Sequence, residues 1–142
     1  MKVTGRHVRF QVKKSRPGLG RGLFAMQDIQ KGEFIVEYTG RRISTVYADT
    51  LKTKYLFEID QTWTIDGSET SNVARYINHA CEPNSECEID DGRIYVYATR
   101  TIKEGEEITI DYGDEYFDEF IRPLGCKCNT CSSIKPMVYS PV

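Results

Sequence analysis

Isoleucine and valine dominate the apolar residues of this chain, with 13 isoleucines and 9 valines against only 5 leucines. Tyrosine is also abundant, at 9 of the 142 residues. Side chains branched at Cβ lose rotamer freedom in a helix, whereas they and aromatic side chains pack well on the pleated surface of a sheet. The bias therefore predicts a mainly β domain and argues against a helical bundle.

The length and the apolar content bound what this domain can be. Its 142 residues fit one domain of ordinary size. Leucine, isoleucine, valine and phenylalanine supply 33 of the 142 residues. This share, about 23%, is above the roughly 20% below which chains tend to be disordered. No apolar run approaches the ~18 residues of a membrane span, and the basic N-terminus lacks the apolar segment of a signal peptide. We expect a soluble protein that is not exported.

Short strands are predicted along most of the chain, separated by turns rich in glycine and polar residues. The best helix candidate is the segment 45–54, with Ser44 or Thr45 as its N-cap. No helices of crossover length join successive strands, so a doubly wound sheet is excluded. The predicted strands are residues 5–12, 23–25, 34–38, 55–59, 63–66, 85–89, 94–98 and 107–110.

The charges are unevenly distributed along the chain. A net charge of -2 argues against a general nucleic-acid binder. Residues 1–22 carry seven Lys or Arg and no acid, whereas residues 104–119 carry eight acids and no Lys or Arg. The acidic run is either a solvated face or a surface that attracts a basic partner. A small zinc-bearing nucleic-acid protein that uses residues 1–22 is the weaker alternative.

Three of the five cysteines, Cys126, Cys128 and Cys131, lie within six residues of one another. Without a signal peptide, a disulfide framework is not expected, because thiols in a reducing compartment stay reduced. Clustered cysteines in such a compartment indicate a metal site. Three thiolates do not complete a tetrahedral structural zinc site, so a fourth ligand must come from elsewhere. The candidates for it are Cys81, Cys87, His7 and His79.

Four stretches carry residues that are typical of a functional site. The densest is the loop 72–84, where Asn, His, Cys and Arg lie between two predicted strands, although a purely structural loop stays open. The others are a glycine-rich turn that leads into a strand and two strands that end in a tyrosine. In chain order the stretches contain Gly20-Arg21-Gly22, Glu37-Tyr38-Thr39-Gly40, RYINHACEPN at 75–84 and GEEITIDYG at 105–113.

Together and in this order, the four stretches resemble motifs of the SET-domain family of protein lysine methyltransferases, and CKCNTC at 126–131 resembles its post-SET tail. The resemblance runs from about Arg6 to Cys131. It implies a mainly β fold, the β-clip or SET fold, with small twisted sheets, little helix and a knot-like C-terminal crossing. In that crossing the segment around Asp111-Tyr112 threads beneath a loop near Asn78-His79. It also implies a SET domain over residues 1–119 and a zinc-binding post-SET Cys tail over 120–142.

The chain departs from the family pattern in places. Tyr76 stands where the family usually has Phe, and Ala80 where it usually has Ser. The last cysteine of the tail is more closely spaced, and no cysteine-rich segment precedes the motifs. We interpret the chain as a near-minimal, free-standing SET domain of the kind that bacteria and large viruses carry.

The resemblance implies roles for individual residues. S-adenosylmethionine would bind on one face, and the target lysine would enter a narrow channel from the other. Tyr38 and Tyr112 match the catalytic tyrosines of the family and would line this channel. Candidate contacts with S-adenosylmethionine are Gly20, Arg21, Gly22, Tyr55, Arg75, Asn78, His79 and Tyr112.

For the metal, the resemblance selects Cys81 from the candidates left open above. A structural Zn²⁺ ion would then be bound by Cys81, Cys126, Cys128 and Cys131, and Cys87 would remain as a buried thiol. Such a site would fasten the tail to the loop that carries the cofactor contacts.

The predicted function is S-adenosylmethionine-dependent protein-lysine N-methyltransfer to a basic, histone-tail-like segment. The alternative is a catalytically inactive SET-like module that binds a peptide without modifying it, and the intact Tyr38, Asn78, His79 and Tyr112 argue against this. We expect no contact with a membrane and no direct binding of nucleic acid, and we leave a homodimer open. The expected location is the cytoplasm in a bacterium, and otherwise the nucleus or a host cell.

Overall fold

The computed structural model describes residues 9–113 and 125–128. Within these ranges the chain forms ten short strands, one helix of a single turn and one 3-10 turn, which confirms the mainly β class. The strands are β1 (Phe10–Lys14), β2 (Arg21–Ala25), β3 (Phe34–Tyr38), β4 (Arg41–Ser44), β5 (Leu56–Glu58), β6 (Trp63–Asp66), β7 (Asn78–His79), β8 (Ser85–Asp90), β9 (Arg93–Ala98) and β10 (Glu107–Ile110). The helix α1 is Thr45–Ala48, and the 3-10 turn is Val73–Tyr76.

The strands of the described ranges form three small sheets, of which the first has the order β1-β2-β10-β7. In it, β2 pairs antiparallel with both β1 and β10. The two-residue strand β7 pairs parallel with β10, with Asn78 opposite Thr109 and His79 opposite Ile110. This pairing lays the loop that follows the 3-10 turn against the last strand, where the crossing was predicted.

The other two sheets have three antiparallel strands each, in the orders β3-β9-β8 and β4-β6-β5. The edge strands β8 and β5 both contribute side chains to the cleft described below. The core is built mainly from β2, β3, β9, β10 and the 3-10 turn. Its buried members are Leu23, Ala25, Ile29, Ile35, Ala74, Ile77, Val96, Ala98, Ile102, Ile108 and Ile110.

Asn84 anchors β10 to the loop that precedes β8. Its side chain is almost completely buried, and its Nδ2 donates to the carbonyl oxygen of Glu107 at 2.8 Å. Its Oδ1 accepts from the backbone N–H of Thr109 at 2.9 Å. Because buried polar atoms must be hydrogen-bonded to be tolerated, this side chain fixes the position of β10 relative to the loop. The residues that follow β10 are thereby held at the cleft.

The predicted helix over 45–54 is wrong in its extent, because α1 ends at Ala48. Ser44 caps it by accepting from the backbone N–H of Tyr47 at 3.2 Å. Val46 and Tyr47 are exposed, so the turn has no apolar stripe against which tertiary packing could extend it. No helix in the described ranges is long and apolar enough to cross a membrane.

Three strands also differ from the sequence expectation. β1 begins at Phe10 and continues to Lys14, whereas residues 5–8 of the predicted strand 5–12 lie outside the described ranges. β4 and β7 were not predicted. β4 is polar but pairs with β6 along its whole length, and β7 is only two residues long. Both exist because of pairing with partners distant in sequence, which local pattern does not encode.

Candidate active site

A large open cleft of about 1410 Å³ lies where the ends of several strands meet. Its walls come from the glycine turn before β2, the end of β3, β5, the 3-10 turn with β7, the residues after β10 and the segment 125–128. Gly22 and Cys81 are outside this lining, and Cys131 lies outside the described residues. The predicted site residues that line it are Gly20, Arg21, Tyr38, Tyr55, Arg75, Asn78, His79, Tyr112, Cys126 and Cys128.

Tyr38 and Tyr112 reach the cleft from different strands, and both are bonded to backbone carbonyls. The Tyr38 hydroxyl, at the end of β3, donates to the carbonyl oxygen of Tyr55 at 2.8 Å. The Tyr112 hydroxyl, two residues beyond β10, donates to the carbonyl oxygen of Ile77. Because a phenol has a single proton to donate, each oxygen must act as an acceptor towards a further ligand.

Aromatic rings surround these two hydroxyl groups. The ring of Tyr38 packs against Phe57 with centroids 5.3 Å apart, and the ring of Tyr112 lies 5.4 Å from the imidazole of His79. Both pairs are tilted, an arrangement that aromatic rings favour over direct face-to-face stacking. The two hydroxyl groups are thus held in fixed orientation beside aromatic rings.

Asn78 is held by two hydrogen bonds from the same nitrogen. Its Nδ2 donates to the carbonyl oxygen of Arg21 at 2.9 Å and to Oε2 of Glu107 at 2.8 Å. The other carboxylate oxygen of Glu107 accepts from the Ser15 hydroxyl at 2.7 Å. Since both amide protons are used, Oδ1 is the atom of Asn78 that can accept a hydrogen bond from a ligand.

The two glycines of the predicted cofactor turn have different structural reasons for being glycine. Gly20 has a φ of +69° and lies in the cleft, with no atom within 4 Å of where a Cβ would project. Its requirement is the left-handed backbone conformation. Gly22 is buried, and a Cβ there would lie 2.2 Å from Oε2 of Glu107. It therefore makes room for the carboxylate that orients Asn78.

His79 is a buried, neutral hydrogen-bonding group. Its Nδ1 accepts from the backbone N–H of Tyr112 at 3.1 Å, so in the neutral imidazole the proton is on Nε2. Burial lowers the pKa of His79, and the carboxylate of Asp111, 3.8 Å away, opposes this only in part. Because its lowered pKa keeps it neutral, His79 can accept this hydrogen bond and thereby fixes the backbone of Tyr112 at one side of the cleft.

Sulfur atoms gather beside His79. The Sγ atom of Cys81 lies 3.9 Å from that of Cys126 and 3.5 Å from Nε2 of His79, and these three residues form a group able to hold a metal ion. Since Nε2 carries the proton, His79 is placed to donate to the Cys81 sulfur. Cys128 is buried and lines the cleft. Cys87 is half-buried elsewhere on β8, and burial raises its pKa to about 11.

Arg75 forms no ion pair with a carboxylate in the described part of the chain. Its guanidinium lies 4.3 Å from the ring centroid of Tyr55 and 5.2 Å from that of Tyr76. Hydrogen bonding to Tyr55 holds the pKa of Arg75 above its usual range, although burial opposes this. Arg75 and Tyr55 are thus one stacked unit in the wall of the cleft.

Two residues behind Tyr38 were missed by sequence reasoning. Asn72 is buried, accepts from the backbone N–H of Thr39 at 3.0 Å and donates to the carbonyl oxygen of Gly67 at 3.0 Å. A Cβ on Gly67 would lie 2.4 Å from Cε1 of Tyr38. Gly67 lies in no recognisable motif, Asn72 begins the loop 72–84 but was given no role there, and Glu107 lies within GEEITIDYG and could have been singled out.

Comparison with known proteins identifies the family. The SET domain family model matches residues 20–113. The chain is 36% identical to histone-lysine N-methyltransferase trithorax of Drosophila virilis over 124 residues, which cover 79% of this chain and 3% of that protein. It is 38% identical over 125 residues to histone-lysine N-methyltransferase set-2 of Caenorhabditis elegans, covering 79% of this chain and 8% of that one.

A plant relative aligns with more of the chain. Identity to histone-lysine N-methyltransferase ASHH3 of Arabidopsis thaliana is 34% over 149 residues, which cover 96% of this chain and 40% of that protein. The chain therefore spans less than half the length of each of these relatives. It belongs to the SET-domain family, as its motifs indicated. The predicted boundary between residues 119 and 120 lies outside the described residues.

Proposed function

We propose that this chain is an S-adenosylmethionine-dependent protein-lysine N-methyltransferase that acts on a basic, histone-tail-like segment. The observation that carries the proposal is the shared cleft, in which the acceptor oxygens of Tyr38 and Tyr112 lie in one cavity with Gly20 and Asn78. The relatives, which are named as histone-lysine N-methyltransferases, support the same activity and substrate class.

The residues at the glycine turn fit S-adenosylmethionine. This cofactor would supply a methyl group on a positively charged sulfur, together with an amino-acid portion whose ammonium needs acceptors. Oδ1 of Asn78 is suited to that ammonium, because both protons on its Nδ2 are already donated. Gly20, without a side chain and at positive φ, lets a ligand approach the backbone closely.

The two tyrosines are suited to orient a neutral amine. Methyl transfer to nitrogen needs the amine lone pair, and deprotonating a free lysine at pH 7 costs about 4.6 kcal/mol. An apolar, aromatic channel disfavours the ammonium and lowers that cost. The oxygens of Tyr38 and Tyr112 would accept the N–H groups of the amine and direct its lone pair along the line of transfer.

Neither tyrosine is suited to be the base that removes the lysine proton. Each hydroxyl donates its proton to a backbone carbonyl. A phenol, with a pKa near ~10, keeps that proton at neutral pH, so almost none of it is in the phenolate form that could act as a base. We therefore assign Tyr38 and Tyr112 roles in orientation and electrostatics. The amine reaches the transfer geometry already deprotonated.

The sulfur geometry supports a structural zinc ion on Cys81, Cys126, Cys128 and Cys131. Two thiolates about 2.3 Å from a tetrahedral zinc ion lie about 3.8 Å apart. The observed separation of Cys81 and Cys126 is 3.9 Å. An N–H donor to a ligand sulfur, here from His79, is a common second contact at such sites. Zinc would hold the segment 125–128 as a wall of the cleft.

Carboxylates from separate segments support a basic substrate. Asp49, Glu58, Glu86 and Asp111 all line the cleft, as do the cationic side chains of Arg21, Lys52, Lys54, Arg75 and Lys127, so the carboxylates offer local contacts to a substrate cation and not a uniformly negative surface. Within the acidic run, Glu106 is instead paired with Arg100 at 2.6 Å, so it does not face a substrate. The attraction therefore comes from the carboxylates of the cleft. Physiological salt screens it beyond roughly 8–10 Å, so it should weaken as the salt concentration rises.

The proposal is tested with labelled S-adenosylmethionine and two versions of one peptide, one basic around its lysine and one with the flanking charges neutralised. We expect label transfer to the basic peptide, with a higher kcat/KM than for the neutral one at low salt and a smaller difference at high salt. Equal values at low salt would refute the charge preference. Cofactor binding without transfer to either peptide would instead favour the inactive peptide-binding module.

Gly67→Ala is expected to lower turnover about tenfold or more although it replaces no catalytic group. The new Cβ would lie within 2.6 Å of the Tyr38 ring and 2.5 Å of Nδ2 of Asn72, so Tyr38 must move. Small misplacements of a positioning group cost up to about 100-fold. Turnover is compared with that of Ser68→Ala, an exposed neighbour. In a Tyr38→Phe protein, adding Gly67→Ala should lower turnover little further. If turnover falls there by the same factor as in the wild type, Gly67→Ala does not act through the Tyr38 hydroxyl.

A further inference from the structure

Arg75 occupies an unusual environment for an arginine in a cleft. Its guanidinium lies against the faces of Tyr55 and Tyr76, and its Nε is buried without a hydrogen-bond partner in the described part of the chain. A guanidinium in a protein stays charged at any ordinary pH. The wall of the cleft therefore contains a permanent positive charge that no carboxylate of the described residues neutralises through an ion pair.

The groups that surround Arg75 do not cancel this charge. β2 and β3 pack against the 3-10 turn that carries it. β2 contributes Arg21, and on β3 the carboxylate of Glu37 is bound at 2.9 Å by Arg93. The other titratable groups facing Arg75 are the phenols of Tyr38, Tyr55 and Tyr76. The carboxylates that line the same cleft without pairing to Arg75 are Asp49, Glu58, Glu86 and Asp111.

A short chain of contacts connects Arg75 to the place where the amine would lie. Arg75 stacks on the ring of Tyr55, and the carbonyl oxygen of Tyr55 accepts the hydroxyl proton of Tyr38. The oxygen of Tyr38 is one of the two acceptors assigned to the amine. Two residues, Tyr55 and Tyr38, thus connect Arg75 to the proposed lysine position.

We propose that Arg75 is an electrostatic positioning residue whose fixed positive charge favours the neutral form of the substrate amine in the cleft. This inference rests on the proposed lysine methyltransfer and adds to it a source for the deprotonated amine. A unit charge about 10 Å away, at an effective dielectric constant of about 20, displaces a titration by about one pH unit. A cation disfavours an ammonium, so the lysine loses its proton at lower pH.

The test is the pH dependence of kcat, which reports the protonation of the bound amine, at saturating lysine peptide in three proteins: the wild type, Arg75→Met and Arg75→Lys. Arg75→Met should move the rising limb of the profile up by about one unit, because the charge is lost. Arg75→Lys should leave the limb near its wild-type position even if turnover falls, because the charge is kept while the planar stack is lost. A merely structural role would lower the whole profile without moving the limb.

A second measurement keeps the inference testable if Arg75→Met is weakly active. A peptide with S-aminoethylcysteine in place of the lysine carries an amine that deprotonates more easily. At a pH near the top of the wild type's rising limb for the analogue, and well below that for lysine, Arg75→Met should therefore lose about tenfold on lysine but clearly less on the analogue. An equal loss on both peptides, or a limb that does not move in Arg75→Met, overturns the inference and leaves lysine methyltransfer standing. Failure of the wild type to methylate any basic peptide overturns both.

Discussion

Tyr112→Phe is expected to lower turnover at least about tenfold while the fold survives. The change removes only a hydroxyl, whose oxygen is one of the two acceptors proposed for the amine. A hydrogen bond at a reacting group is worth about 1.5–3 kcal/mol, and each 1.36 kcal/mol is about tenfold in rate. The carbonyl of Ile77 also loses its donor, which costs about 1–3 kcal/mol of the free energy of unfolding.

The matched control is Tyr97→Phe. Tyr97 lies on β9 with its ring against Phe34, outside the cleft lining. Its phenylalanine variant should keep wild-type turnover. Steady-state kinetics of both variants, with thermal unfolding of each, separates a catalytic loss from a folding defect. A Tyr112→Phe protein that folds and keeps near-normal turnover would show that the assigned role is wrong.

Cys126→Ser is expected to expel the metal ion and suppress activity, whereas Cys87→Ser should leave both unchanged. Cys126 lies within zinc-sharing distance of Cys81. Cys87 lies apart from this cluster, and with a pKa raised to about 11 by burial it stays protonated at neutral pH. Zinc binding to a structural site contributes several kcal/mol of apparent stability, so a chelator should have the same effect as Cys126→Ser.

The measurement is metal analysis of freshly purified wild type and both variants, alongside thermal unfolding. One zinc ion per chain in the wild type and in Cys87→Ser, and little in Cys126→Ser, is the expected result. Wild-type protein that carries no zinc, or a Cys126→Ser variant that retains it fully, would contradict the site.

The strands that the sequence predicted best are short runs of β-branched and aromatic residues with turn residues close to both ends. β3, β6 and β10 have the predicted bounds, because turn residues near both ends of each strand mark those ends in the local sequence. β4 (Arg41–Ser44) is polar, and its pairing with β6 decides its structure. A helix was predicted over 45–54, but Val46 and Tyr47 are exposed, so α1 has no apolar face that packing could extend beyond Ala48.

Residues of the candidate site that belong to a sequence motif could be predicted. Residues that contribute only through tertiary packing could not. Tyr38, Asn78, His79 and Tyr112 were named from motifs, and all line one cleft. The packing behind them was not visible: Gly67 leaves room for the Tyr38 ring, and the buried Asn72, although it begins the loop 72–84, showed no sign of its bond to the carbonyl oxygen of Gly67. The partners of Arg75 were also unforeseen, since stacking on Tyr55 joins residues twenty positions apart.

The central claim, methyl transfer to lysine, is tested most directly by mass spectrometry of a basic peptide incubated with the wild-type chain and S-adenosylmethionine. We predict a mass gain in whole methyl steps, with fragment ions that locate every added methyl on the lysine side chain. Replacing that lysine by arginine should abolish the gain. An unmodified peptide in the presence of demonstrated cofactor binding, or methyl groups found on any other side chain, would contradict the claim.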